Sequence, residues 1–303
     1  MPNERLSSLS GRGQPFTAWI VTSLALVIGL CACASTPTQK SVSDWHDAVV
    51  AVQEQSTTTF REVNRLVRDA QLKRVANLQN LKESDFQPGL DAESLAAWNR
   101  AFDGLAAYSS AVSTLLGPEL PAGVGKSTQQ LGESIVASSH SNIFQERPKL
   151  ASALGNLGAK VASLAAAHSA PEIMAQADPA VNSVLDQMAR MIYDDSGGMQ
   201  SGVYYTVHAN WTTQADEVRT EFLSAGTLAD KQRIAEQYAA VLAKRDAADA
   251  ALRGLRSSLL ELATTHRRTA AGGPMDTSAL IASIREHTEF FKNLLADLKP
   301  ATN

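Results

Sequence analysis

The stretch LADKQRIAEQYAAVLAKRDAADAALRGLRSSLLELATTHRRT, residues 228–269, decides the fold class. Its large aliphatic residues Ile234, Val241, Leu252, Leu255, Leu259 and Leu262 recur at intervals that sum steps of three and four, so they line one face of a helix. No strand alternation interrupts them. Thr227 stands where an N-cap belongs, and Asp230 three residues later resembles a capping box. Gly226 closes whatever precedes it.

Working outward, the same spacing returns on both sides. Residues 41–82 carry Trp45, Val49, Val52, Phe60, Val63, Val67, Ala70, Leu78 and Leu81 on one face, which predicts about 60 Å of helix at 1.5 Å per residue. That is comparable to the 228–269 helix, so the two are expected to pair. Between Val52 and Phe60 the seam is polar, QEQSTTT, and looser packing or a water-lined bend is expected there. Pro88-Gly89 breaks the chain, and Asp91 is placed to cap a helix bearing Leu95, Trp98, Phe102, Leu105, Val112 and Leu116. Gly117-Pro118 stops it. Leu131 and Ile135 mark a further helix, and Pro148 should kink or restart it ahead of Leu150, Leu154, Leu157, Val161 and Leu164. Ala and Gly fill the positions between, which lets a neighbouring helix come close.

Asp178-Pro179 reads as a helix start, a cap followed by proline at the first helical position. The stripe beyond it is Val181, Leu185, Met188 and Ile192, ending at the turn signal Asp195-Ser196-Gly197-Gly198. Tyr204, Val207, Trp211, Ala215, Val218 and Phe222 form the next stripe, although GVYYTVHANW alone has strand propensity. After Gly272-Gly273-Pro274, Asp276 caps a last helix with Leu280, Ile284, Phe291, Leu294 and Leu298. The expected fold is all-α, an elongated bundle of long antiparallel amphipathic helices with coiled-coil-like packing. No repeat period is present.

The first 33 residues carry a different kind of signal. Arg5 and Arg12 precede an uncharged run from Ala18 to Leu30, the shape of a secretory signal peptide and too short for a bilayer span of about 20 residues. The run ends in Leu30-Cys31-Ala32-Cys33, which resembles the lipobox of bacterial lipoproteins: a large aliphatic, a small residue before the acceptor, then cysteine. The resemblance implies cleavage before Cys33, diacylation of its sulfur and acylation of the new amino terminus, hence a palmitate-type anchor. Cys31 is the poorer acceptor, because Leu30 would then stand where a small residue is required. Ala34, rather than Asp, follows Cys33, which by the sorting habit of Gram-negative lipoproteins implies the outer membrane. The chain therefore divides into residues 1–32 as signal peptide, 33–40 as lipidated cysteine and tether, 41–299 as one helical-bundle domain, and 300–303 as a tail.

Composition narrows the function. Removing Glu4, Arg5 and Arg12 from 31 acidic and 27 basic residues leaves 30 and 25, a net charge of −5. No nucleic-acid partner is expected of such a chain. Both of its two cysteines lie in the signal region, so neither a disulfide nor a thiolate metal site is available to the body.

Three motifs invite chemistry and fail on context. Gly123-Val124-Gly125-Lys126-Ser127-Thr128 ends like a phosphate-binding loop, but Leu120 stands where the first glycine belongs and no strand leads in. No nucleotide is expected, and Ser127 reads instead as a helix cap. His46, His140, His168, His208, His266 and His287 are scattered without a metal-ligand spacing, and Arg285-Glu286-His287 with Glu289 reads as a solvated face. No metal, cofactor or catalytic residue is assigned, and no G-x-S-x-G nucleophile elbow occurs.

The possible interaction surface is Tyr204, Tyr205 and Trp211 beside Gly197-Gly198, since aromatic side chains anchor interfaces. The stripe itself would turn Tyr204 and Trp211 inward and leave Tyr205 outside. The sequence thus points to a lipid-anchored extracytoplasmic scaffold or adaptor with a protein partner in the cell envelope, not an enzyme. A membrane-active helical protein and a helical ligand carrier or hydrolase are the alternatives.

Overall fold

In the computed structural model, residues 39–76, 80–115, 124–141, 144–163, 170–194, 201–272 and 277–297 are described, and all belong to one unit. They form α1 (Gln39–Val75), α2 (Ala92–Leu115), α3 (Val124–Ser139), α4 (Pro148–Ser163), α5 (Ala170–Ile192), α6 (Val203–Ser224), α7 (Leu228–Ala270) and α8 (Thr277–Asp297). Among the described residues there is no strand, only an isolated antiparallel bridge between Asp194 and Ser201. The fold is all-α.

The apolar stripes are the core. Val49, Val52, Val63 and Val67 of α1, Phe102 and Leu105 of α2, Leu154 and Leu157 of α4, Val181 and Leu185 of α5, and Leu252 to Leu262 of α7 are buried together. The two longest helices, α1 with 37 residues and α7 with 43, pack antiparallel. Trp45 near the start of α1 reaches Leu262 near the end of α7, whereas Ala70 lies against Val241.

The chain departs from its sequence reading at three helix boundaries. The first helix stops at Val75 and not at Lys82; Leu81 is exposed, and Leu78 lies outside the described residues. A short 3-10 turn, Glu83–Phe86, then sends the chain back along α1. That return is held by the carboxamide of Asn64, whose Nδ2 donates to the Leu90 carbonyl at 2.8 Å while its Oδ1 accepts from the Leu90 amide at 2.9 Å. These paired bonds satisfy the backbone groups of Leu90 in the segment just ahead of α2.

Pro179 does not start a helix: α5 begins at Ala170 and runs through it. A proline inside a helix costs about 3 kcal/mol. Burying Ile173 and Met174 ahead of it returns roughly 1.5–3 kcal/mol each, so packing outweighs the local preference. Ser127 is likewise no cap, because α3 already begins at Val124.

Other boundaries follow the sequence. Asp91 Oδ1 accepts from the Ser94 amide at 2.6 Å, Pro148 opens α4, and the Thr227 hydroxyl accepts from the Asp230 amide at 3.1 Å. In the polar seam α1 continues unbroken, with the Ser56 and Thr57 hydroxyls donating to the Gln53 carbonyl.

The small residues of α3 and α4 allow backbone contact. A Cβ on Gly132 would collide with the Ala162 amide nitrogen, and one on Gly158 would fall 2.8 Å from the Gly132 carbonyl oxygen. Backbone cannot swing aside as a side chain can. Gly158→Ala is expected to cost about 1–3 kcal/mol in urea unfolding despite the better helix propensity of alanine, and Gly132→Ala at least as much. Gly226→Ala, with nothing within 4 Å, should be neutral. Equal stability of all three variants would contradict the close approach.

Candidate functional site

Two polar clusters form where the helices meet, one inside and one at the surface. The inner one centres on His266, which lies one turn beyond Leu262 on the apolar stripe of α7 and is fully buried. Its Nδ1 faces Asp178 Oδ1 of α5 at 2.7 Å, and its Nε2 faces the hydroxyl of Tyr108, from α2, at 2.9 Å. The Trp45 ring of α1 packs edge-on against the imidazole at a centroid distance of 5.1 Å and donates its Nε1–H to the Leu262 carbonyl.

Burial pushes the imidazole below its ordinary pKa against the pull of Asp178. Burial would raise the Asp178 carboxyl, but bonds from His266 and Asn182 and the nearby Arg267 guanidinium outweigh it and hold the group below the usual carboxylate range. Burial and then the Asp178 charge push the Tyr108 phenol up. One arrangement satisfies every group: ionised Asp178 accepts from Nδ1–H, and the lone pair on Nε2 accepts from the Tyr108 hydroxyl. An Asp-His pair beside a hydroxyl has the outline of a catalytic relay, yet here the hydroxyl belongs to a phenol that is buried among the described residues. The cluster is a polar lock between helices.

The surface cluster contains the aromatic residues singled out above. The Asp194–Ser201 bridge brings the end of α5 beside the start of α6. Gly202, at φ 107°, makes the turn; a Cβ there would lie 2.7 Å from the Ile192 carbonyl. Tyr193 is thereby stacked on Tyr205, with centroids 5.2 Å apart, and set edge-on to Tyr204. From α7, Arg253 covers the Tyr204 ring at 4.9 Å and donates to its hydroxyl at 2.8 Å. Arg256 lies 5.4 Å from the Tyr193 ring. Asp249 Oδ2 receives His208 Nδ1 at 3.0 Å, while its buried Oδ1 has no hydrogen-bond partner among the described residues. The hydrogen bond to Tyr204 and the field of Asp249 hold the Arg253 guanidinium above its ordinary value.

The structure thus divides the three sequence-selected aromatics. Trp211 is core, lying against α1 and α7; Tyr204 is nearly buried; Tyr205 alone is half-exposed. Sequence reasoning missed Tyr193, Asp249, Arg253 and Arg256, and it missed the inner lock, whose members lie 158 and 88 positions from His266. The one legible sign was a histidine continuing the 252-255-259-262 stripe. Leu30, Cys31, Ala32, Cys33, His168 and the Gly197-Gly198 turn lie outside the described residues.

Among the described residues no group of three or more His, Cys, Asp or Glu side chains is placed to hold a metal ion, and no helix is long and apolar enough to cross a membrane. Comparison with known proteins returns no matching family model, curated protein or solved structure.

The lock gives stability a defined pH dependence. A depressed folded-state pKa of His266 means that the unfolded chain binds the proton first as pH falls below about 6.5. The depressed Asp178 value acts in the same direction at lower pH. Unfolding free energy, measured by urea titration, should fall between pH 7.5 and 5.5, and a flat or rising profile would contradict the neutral buried imidazole.

Proposed function

We propose that this chain is a lipoprotein of the cell envelope, acylated at Cys33 and tethered by residues 34–38 ahead of α1, whose helical body serves as a scaffold or adaptor for a protein partner and not as an enzyme. In a Gram-negative host its place is the periplasmic face of the outer membrane. Three acyl chains, each gaining about 0.8 kcal/mol per buried methylene, would hold such a body at its leaflet far more firmly than a single chain.

The observation that carries the interaction role is the outer end of the α6–α7 pair. Between residues 216 and 240 only one side chain, Ile234, is buried. From Leu228 to Ala240 this is roughly 20 Å of helix at 1.5 Å per residue, packed chiefly on its hairpin partner until Ala240 and Val241 meet Ala70 of α1. Local contacts steady it: Arg233 bridges to Glu221 at 3.3 Å, and the Lys231 ammonium sits 5.8 Å from the Phe222 ring. At the tip, however, Leu223 is 75% and Leu228 84% exposed, next to a partly exposed Phe222. Large apolar side chains so exposed at the tip favour a docking role, because the fold of the hairpin leaves Leu223 and Leu228 mostly uncovered.

Two experiments test the two halves of this reading. Metabolic labelling with radioactive palmitate should mark the wild type and Cys31→Ala, while Cys33→Ala should remain an unlabelled precursor; unchanged label on Cys33→Ala would overturn the anchor. A photo-crosslinking residue placed at Leu228 in growing cells should yield a discrete protein adduct that the same residue at exposed Glu93 of α2 does not. Identical products at both positions, or none at Leu228, would overturn the docking tip.

A further inference from the structure

Helix α8 packs on α1 and α7 through Thr277, Leu280, Ile284 and Phe291, which are its buried side chains between residues 277 and 293. From Arg285 to Phe290 no side chain is buried, and Phe290 is 58% exposed. A helix seated along its whole length buries a residue at each turn, as α5 does with Val181, Leu185, Met188 and Ile192. The gap in the α8 stripe falls against the polar seam of α1. An open groove of about 450 Å³, walled by Glu54, Thr58 and Thr288, flanks the helix there, and a cleft of about 360 Å³, walled by Thr59, His287 and Phe290, lies on its other flank.

Polar bonds tie other helices to α7. His266 joins it to α2 and α5, while Tyr204 and His208 of α6 meet Arg253 and Asp249. Along the middle of α8 the bonds stay local: the Thr288 hydroxyl donates to the Ile284 carbonyl at 2.8 Å, and Lys292 pairs with Glu289 at 2.7 Å. Gln55 borders both flanking spaces and is 3% exposed, yet its Oε1 meets no hydrogen-bond donor among the described residues.

Seating α8 over this seam takes water from a polar group that gains no partner in return, which offsets part of what Leu280, Ile284 and Phe291 contribute by burial. Lifting it bares little of α7 beside the cleft, where Ala247, Ala250, Ala251 and Gly254 present only small side chains. The turn out of α7 suits such a movement, because Gly272 stands at φ 78°, and glycine crosses between positive and negative φ without the steric cost a side chain imposes. Few buried apolar contacts and exposed backbone are the marks of an element that opens locally.

We propose that α8 is a strap: it lifts from α1 and α7 as one unit about Gly272 while the lock and the packing of α1 to α7 stay in place. Closed, it hides Leu280, Ile284 and Phe291. Open, it presents them beside Phe290 on an amphipathic helix. The strap is separate from the anchor and from the α6–α7 tip, and it stands if either of those fails.

Native-state hydrogen exchange of the purified full chain at pH 7.5, read by peptide mass spectrometry, tests this. Amides of residues 280–291 should exchange together, through an opening about a hundredfold or more as populated as that of residues 252–262. Leu185→Ala weakens the core of α5, away from the α8 bed, and separates local from global opening. It should speed exchange of residues 252–262 by about thirtyfold or more and leave residues 280–291 unchanged. A Cβ at Gly254 would lie 3.8 Å from the His287 ring, within reach of a staple. In a chain carrying Cys31→Ser and Cys33→Ser, the disulfide formed by Gly254→Cys with His287→Cys should slow residues 280–291 to the rate of 252–262, and reduction should reverse it. Equal protection of the two stretches in the wild type, equal acceleration by Leu185→Ala, or exchange that a formed disulfide does not slow would each overturn the strap. Should the disulfide not form, the Leu185→Ala comparison decides alone.

Discussion

Four helices of this protein meet at one buried imidazole. His266 of α7 joins Tyr108 of α2 to Asp178 of α5, while Trp45 of α1 closes over the ring and bonds to the backbone one turn away. Hydrophobic stripes alone would let such helices slide along one another, since burial is non-directional. Hydrogen bonds of 2.7 and 2.9 Å on the two ring nitrogens fix register and rotation. A partly satisfied network inside a core would be worse than none, so all members must be in place together. Pro179 is tolerated within α5 on the same account: Asp178 is needed in helical geometry to reach the imidazole.

From that node outward, α7 passes through three environments. Its last third, Leu252 to Thr269, is core. Its middle, Ala247 to Gly254, presents small residues and leaves the cleft under α8. Its first third, Leu228 to Ala240, is nearly all exposed and pairs with α6. A single helix therefore runs from buried core to an almost fully exposed end, and local opening should be least costly at the outer end. Binding surfaces drawn from the loosely packed end can be remodelled without disturbing the locked one.

The helices were legible because their stripes are long and regular: every stripe residue from Leu252 to Leu262, and Val181 to Ile192, is buried where the spacing put it. Caps at Asp91 and Thr227 were legible because their bonds are local. The errors at Lys82, Ser127 and Pro179 share one cause, a local signal overruled by packing or by a distant partner such as Asn64 with Leu90. The polar lock and the tyrosine–arginine cluster were invisible for a related reason. Their members belong to different helices, and only the folded arrangement gives them a common centre. The polar seam QEQSTTT was visible as an anomaly, and its place beneath α8 gives that anomaly a physical setting.

The most direct test of the lock is a double-mutant cycle between Tyr108 and Asp178, which interact through His266 across 70 residues of chain. Tyr108→Phe, Asp178→Asn and the double variant would be unfolded in urea at pH 7.5. If the imidazole joins the two helices, the losses are non-additive by about 0.5–3 kcal/mol, because either change alone already disrupts the relay. Strict additivity within about 0.3 kcal/mol would show that the two groups act separately and that the helices are held by apolar packing alone.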